Sequence, residues 1–147
     1  MLIRPNISAD HSTVVALWER SVRATHDFLT EEDIIFFRAI VDKQTLANCE
    51  IHVAIIEEKI VGFIGLDNMH IDMLFIDPDY HRQRIGRKLI HHAQILKGNE
   101  LSVEVNENNI HALNFYLSCG FAQTGRSEID GFGRSFPILH LTYENCG

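Results

Sequence analysis

Between Val14 and Val22 the apolar residues Val14, Leu17, Trp18 and Val22 recur every three or four positions, which predicts an amphipathic helix with Ser8 or Asp10 as its cap. A second helix is predicted from Thr30, where Thr30-x-x-Asp33 approximates a capping box and Ile34, Phe37, Ile40 and Val41 make the apolar side. The spacing then changes. Ile51 to Ile56 and Ile60 to Leu66 are β-branched runs split by Glu57-Glu58-Lys59, the pattern of an antiparallel hairpin. His70 to Ile76, closed by Pro78, is a further strand, and Leu2 to Arg4, ended by Pro5, a short first one. Period two along His70–Ile76 sets His70, Asp72, Leu74 and Ile76 on one face and Ile71, Met73 and Phe75 on the other.

The helical spacing returns from Gly86 to Leu96, with Leu89, Ala93 and Leu96 on the inner face and Gly98-Asn99 as the stop. Leu101 to Val105 alternates as a strand. Asn108 or Asn109 opens a fourth helix carrying Ala112, Phe115 and Tyr116 on one side, and Gly120 ends it. Two last strands, near Phe121 to Glu128 and Phe136 to Tyr143, flank the turn Asp130-Gly131-Phe132-Gly133. The order is strand, two helices, three antiparallel strands, helix, strand, helix, two strands. Hairpins in the middle and at the end make this a mixed, mostly antiparallel sheet of the α/β (α+β) class, not a doubly wound parallel one. With no repeat and no linker, residues 1–147 read as a single domain.

Composition narrows the function classes. A chain of 147 residues, 46% hydrophobic and 22% charged, buries one core of ordinary size. No apolar run approaches the roughly 20 residues of a membrane helix, and Met1-Leu2-Ile3-Arg4-Pro5 lacks the pattern of a signal peptide, so a cytoplasmic protein without membrane partners is expected. Cys49, Cys119 and Cys146 are too scattered for a disulfide framework, and among nine histidines His91-His92 point apart on their helix, so no metal is expected. A formal charge of −7 argues against nucleic acid as a partner and mildly favours a cationic acceptor such as an amine.

The densest chemistry lies between Leu74 and Leu89. A strand runs through Asp77-Pro78 into a basic turn and directly into a helix, which sets unpaired N–H groups of a helix start beside Arg82, Arg84, Arg87 and Lys88. Such a place suits a phosphorylated ligand, and it is equally the form of a solvated basic turn. A second segment follows the next strand: Asn109-x-x-Ala112-x-x-Phe115-Tyr116, then Cys119-Gly120-Phe121.

The two segments together resemble the GCN5-related N-acetyltransferase (GNAT) family. In the turn, His81-Arg82-Gln83-Arg84-Ile85-Gly86 stands where the family has Gln or Arg, two variable residues, glycine, one variable residue, then glycine or alanine; only Gly86 is standard. The resemblance implies a GNAT acyl-CoA fold, its sheet splayed at the fourth and fifth strands and flanked by four helices. It implies acetyl-CoA as cosubstrate, with its pyrophosphate on Arg82, Gln83, Arg84, Ile85, Gly86, Arg87 and Lys88. The pantetheine arm and thioester are then expected on Leu74, Phe75, Ile76, Asn106, Asn109, Ala112 and Phe115.

The resemblance makes Tyr116 the acid that gives a proton to the leaving thiolate, whereas on the residues alone Phe115-Tyr116 equally reads as a core aromatic pair with its hydroxyl satisfied at the surface. A backbone N–H on the splayed strand would hold the developing oxyanion, an effect often worth about 3 kcal/mol. An acceptor ammonium, with a pKa near ~10.4, must lose a proton before attack, so His70 and Asp72 are candidates for the base, or else a strand end facing solvent or a structural His–Asp contact. Thr25-His26-Asp27-Phe28-Leu29 falls where the family builds its acceptor pocket, which makes His26, Asp27 and Phe28 candidate acceptor contacts, or else His26 and Asp27 a helix-ending turn. This segment, Gly125-Arg126-Ser127-Glu128 and Phe136-Pro137 resemble the small YjaB-like bacterial members. The function so implied is acetyl transfer to a small-molecule or protein primary amine by direct attack in a ternary complex, by a monomer or homodimer. The alternative is a noncatalytic acyl-CoA-binding regulatory module of the same fold.

Overall fold

A computed structural model of the chain describes residues 1–45, 49–81 and 83–143. Its elements are β1 (Leu2–Pro5), α1 (His11–Thr25), α2 (Glu31–Ile40), β2 (Glu50–Ile56), β3 (Lys59–Asp67), β4 (His70–Ile76), α3 (Ile85–Lys97), β5 (Ser102–Asn106), α4 (Ile110–Ser118), β6 (Phe121–Ser127) and β7 (Ile138–Tyr143). The seven strands form one sheet in the order β1-β2-β3-β4-β5-β7-β6. Every neighbouring pair is antiparallel except β4 and β5, which run parallel. Each face of the sheet is covered by two helices. Val14, Leu17, Trp18 and Val22 of α1 and Ile34 of α2 pack with Val53, Phe63 and Met73 on one side. Ile85, Leu89, Ile90 and Ala93 of α3 and Tyr116 of α4 pack with Ile64, Ile71, Val103 and Val105 on the other.

The sequence patterns hold with three corrections. Leu96 is 47% exposed, and Ile85, Leu89, Ile90 and Ala93 make the buried stripe of α3, because the stripe starts one turn earlier than Leu89 implies. Neither Ser8 nor Asp10 caps α1 through its side chain. Asp10 stands at the cap position, but its carboxylate accepts from the Ile7 N–H at 2.9 Å and pairs with Arg4 at 2.8 Å, which holds the carboxyl below its usual range. The Thr30–Asp33 capping box is present as expected: the Asp33 N–H donates to Thr30 Oγ1 (3.1 Å) and the Thr30 N–H to Asp33 Oδ2 (3.0 Å).

The third correction shapes the site. Along β3 and β4, Gly65 pairs with Met73 and Leu66 with Ile71, so Asp72 is the extra residue of a β-bulge. One inserted residue reverses the alternation. Ile71 therefore faces α3 and α4 together with Leu74 and Ile76, while Met73 and Phe75 face α1 and α2. The simple period-two assignment of His70, Asp72, Leu74 and Ile76 to one face does not survive the bulge.

Candidate active site

β4 and β5 pair only at His70↔Ser102 and Ile71↔Val103. From there the two strands part: β4 continues against β3 as far as Ile76, and β5 against β7 as far as Asn106. The separation begins where the bulge at Asp72 bends β4. Backbone groups on the facing edges, Met73–Ile76 and Glu104–Asn106, are thereby left without a ladder partner between the two strands. A cleft of about 500 Å³ occupies the gap. It is floored by both strands, closed by the start of α3 and by α4 on one side, and reached by the end of α1 on the other.

At the basic turn, Arg84 precedes α3 with φ 59° and ψ 24°, the left-handed conformation that glycine adopts freely and other residues at a cost. Arg84 thus takes the backbone shape expected of the glycine it replaces, and its carbonyl accepts the Lys88 N–H at 3.1 Å. The N–H groups of Ile85, Gly86 and Arg87 precede the first intrahelical bond, and all three residues line the cleft. Gly86 has a packing reason as well. A Cβ there would lie 2.9 Å from Cζ of Phe115, so α3 and α4 approach this closely only over glycine. The loop ahead of α3 is anchored by Asp77, 1% exposed, whose carboxylate accepts from the Asp79 N–H (3.0 Å), pairs with Arg20 and lies 3.7 Å from Lys59.

On the same side of the cleft, Asn109 caps α4 by accepting the Ala112 N–H at 3.2 Å. Tyr116, one turn on, lines the cleft although it is only 6% exposed, with its ring edge-on to Phe115 and Phe121. Burial pushes its phenol well above the ordinary value, so the hydroxyl stays protonated throughout the neutral range. Gly120, at φ 105°, then turns the chain into β6 beneath the Tyr143 ring.

The structure brings most of the predicted site residues together. Leu74, Phe75, Ile76, Arg84, Ile85, Gly86, Arg87, Asn106, Asn109, Ala112 and Phe115 line the cleft, as do Tyr116, Asp72 and His26. Gln83 and Lys88 do not; Lys88 borders a neighbouring groove with Arg84, Arg87, His91 and His92. Arg82 lies outside the described residues. His70 is not on the cleft lining but at the closed end of the gap, where its Nδ1 lies 2.8 Å from Ser102 Oγ and helps join the two strands. Asp72 does face the cleft; its carboxylate accepts from the Cys49 thiol at 3.0 Å and lies 3.7 Å from His70 Nε2. Burial, then the Asp72 carboxylate, push the Cys49 thiol up to about 12, which keeps it a proton donor in this pair.

Asp27 and Phe28 do not line the cleft. Phe28 stands behind His26, with ring centroids 5.4 Å apart, and reaches Phe136 at 6.2 Å. Around that contact the α2 side and the β6–β7 connection are tied together. Arg134 pairs with Asp33 and lies over the Phe36 ring at 4.6 Å, and Phe37 meets Phe132 and Phe136. Sequence reasoning missed Ser21, Tyr80, Glu104 and His111, all on the lining. Ser21 carried a signal: it is a polar residue at a buried position of the apolar stripe of α1.

Comparison with known proteins identifies the family. The model of the acetyltransferase (GNAT) domain matches residues 27–136. The peptidyl-lysine N-acetyltransferase YjaB of Escherichia coli is 42% identical over 142 residues, which is 96% of this chain and 95% of that protein. The chain belongs to the GNAT family.

YjaB of Salmonella typhimurium is 40% identical, over 96% of this chain and 97% of its own. The solution structure of apo YjaB from Escherichia coli superimposes with a TM-score of 0.90 at 40% identity, covering 99% of this chain and 98% of that one. GNAT acetyltransferases use acetyl-CoA to acetylate amines, and acetyl-CoA-dependent N-acetyl transfer is the activity of this chain. PaiA N-acetyltransferase of Thermoplasma acidophilum, solved with coenzyme A, shares the fold at a TM-score of 0.76 and 22% identity, over 97% of this chain and 100% of that one. Among the described residues no group of three or more His, Cys, Asp or Glu is placed to hold a metal ion, and no helix is long and apolar enough to cross a membrane.

Proposed function

We propose that this GNAT acetyltransferase acetylates lysine side chains of proteins, by direct attack of the amine on acetyl-CoA held in the β4–β5 cleft. The observation that carries the reading is the parting of β4 and β5 beyond Ile71 and Val103, with Tyr116 on the wall of the gap. The pantetheine arm lies between the strand edges as an added partner, and the pyrophosphate meets the α3 N–H groups and Arg84 and Arg87. Asp72, at the bulge, takes the proton of the acceptor ammonium, directly or through water, with Cys49 and His70 fixing its carboxylate. The neutral amine attacks the thioester carbon, and the carbonyl oxygen becomes an oxyanion stabilised by a free N–H of β4. The attacking nitrogen gives its second proton to water, from which Tyr116 is later reprotonated, and the oxyanion re-forms the carbonyl as the C–S bond breaks. Tyr116 gives its hydroxyl proton to the departing thiolate, and burial suits it to arrive protonated. Lysine is favoured as the acceptor because the YjaB relatives, similar along nearly their whole length, are named for peptidyl-lysine.

The test is thiol release from acetyl-CoA with lysine peptides, polyamines and peptide N-terminal amines offered in parallel. Turnover with lysine peptides above the others is expected, and a preference for polyamines refutes the acceptor assignment. Calorimetric binding of acetyl-CoA without release on any of these amines refutes the acceptor assignment as well. Tyr116→Phe is expected to retain acetyl-CoA binding and lose turnover about a hundredfold, the usual scale of a positioned proton donor. Unchanged turnover removes the hydroxyl from the mechanism.

A further inference from the structure

The end of α1 and the cap of α4 lie 83 positions apart in sequence, from His26 to Asn109, yet they share one chain of hydrogen bonds inside the cleft. Asn109 Nδ2 lies 3.0 Å from His26 Nε2, His26 Nδ1 lies 2.8 Å from Thr25 Oγ1, and the Thr25 hydroxyl donates to the Ser21 carbonyl at 2.8 Å. The hydrogens have one consistent arrangement. Asn109 Oδ1 is already engaged by the Ala112 N–H, so the amide presents its NH2 to the imidazole. His26 Nε2 must then be the acceptor, and Nδ1 carries the ring proton. Thr25 Oγ1 can accept that proton because its own hydrogen is spent on Ser21. Protonating Nε2 would set an N–H against an NH2 group, and the amide cannot turn over without releasing the cap of α4.

We infer that His26 is a positioning residue: through Nε2 it holds the Asn109 amide, and so fixes the start of the helix that carries Ala112, Phe115 and Tyr116. The inference rests on the reading of the cleft as the acetyl-CoA site. Its consequence is that the acceptor-side segment and the cofactor-side helix are registered against each other by one neutral hydrogen bond. With both nitrogens spent, His26 is not a base for the acceptor and offers it only the ring. That ring is held between Phe28 (5.4 Å) and Phe75 (6.2 Å), which fixes its plane. Its protonated form is also disfavoured, burial having lowered its pKa to about 4.

The experiment compares His26→Phe, which keeps an aromatic ring but has no acceptor, with His26→Gln, whose amide oxygen can reach Asn109. His26→Phe is expected to raise the KM for acetyl-CoA about fivefold, the scale of one neutral hydrogen bond. The KM for the acceptor should stay within about twofold and His26→Gln should recover most of the loss, on the same scale. A variant that moves only the acceptor KM, or a glutamine that does no better than phenylalanine, overturns the inference. Nitrogen-15 NMR of the wild-type imidazole guards against variants that misfold. Nδ1–H with a bare Nε2 is expected from about pH 5.5 to 8, across the ordinary histidine titration, and a protonated Nε2 there overturns the inference. Wild-type protein that fails to bind acetyl-CoA calorimetrically overturns the cleft assignment and this inference with it. Normal binding with an unmoved His26→Phe overturns this inference alone.

Discussion

Replacing Arg84 by glycine should make the protein more stable and a poorer binder of acetyl-CoA at once. Arg84 sits at φ 59°, ψ 24°, immediately before α3 and on the cleft lining. The left-handed conformation costs a residue with a Cβ roughly 1–2 kcal/mol. Glycine escapes that strain but loses more chain freedom on folding, roughly 0.5–1 kcal/mol. The difference leaves Arg84→Gly more stable by about 1 kcal/mol, a rise in Tm of about 2–4 °C for a chain of this size. The lost guanidinium should weaken acetyl-CoA about five- to tenfold at low ionic strength, and less as salt is added, because an exposed charge is screened. Arg84→Ala is the control: it loses the charge but keeps the strained backbone, so it should bind as weakly as the glycine variant without the gain in Tm. Urea unfolding and calorimetry on the three proteins decide the matter. If glycine and alanine variants unfold at the same denaturant concentration, the strain argument is wrong; if all three bind acetyl-CoA alike, Arg84 does not meet the phosphates.

Gly86→Ala sets a methyl group 2.9 Å from Phe115 Cζ and 3.2 Å from Cε1. Overpacking of roughly 1–3 kcal/mol is offset by about 1 kcal/mol of helix propensity, so a small net loss is expected, relieved by a second change Phe115→Leu in a double-mutant cycle. Additive effects would show that the two side chains do not meet. His26 has a folded pKa lowered to about 4 by burial, from an unfolded value of 6.5. Below pH 6.5 the unfolded chain therefore takes up a proton that the folded one refuses, so this contribution is complete above 6.5 and is lost as pH falls towards 4. The slope approaches about 1.4 kcal/mol per pH unit within that window, and His26→Gln should flatten it in urea unfolding measured against pH. Asp77 behaves otherwise. Burial alone would raise its carboxyl, but the Asp79 N–H, Arg20 and Lys59 bring it below the usual range, so its stabilisation is present above about pH 3.9 and is lost on further acidification. Asp77→Asn should cost about 2 kcal/mol at neutral pH, less than a fully buried pair because Arg20 is half exposed, and should reduce the acid sensitivity; an unchanged acid limb would refute the assignment.

Element types and their order were legible in the chain because they follow from local spacing. Thr30-x-x-Asp33 states a helix start, Gly120 states an end, and the apolar runs of β2 and β3 state a hairpin, each from neighbours a few residues apart. The same holds for the family motif, which lies in two short segments, so that most of the cleft lining could be named by residue number. Tertiary structure decided what depends on partners distant in sequence. The bulge at Asp72 is a mismatch between β3 and β4 and has no signature within β4 itself, yet it reverses the faces of the strand and opens the gap beside β5. His70 and Asp72 look equivalent in sequence, and only the pairing with Ser102 separates the residue that closes the sheet from the one that faces the cleft. The bond between His26 and Asn109 spans 83 positions, and a hydrogen bond depends on distance in space, about which residue spacing along an irregular loop carries no information.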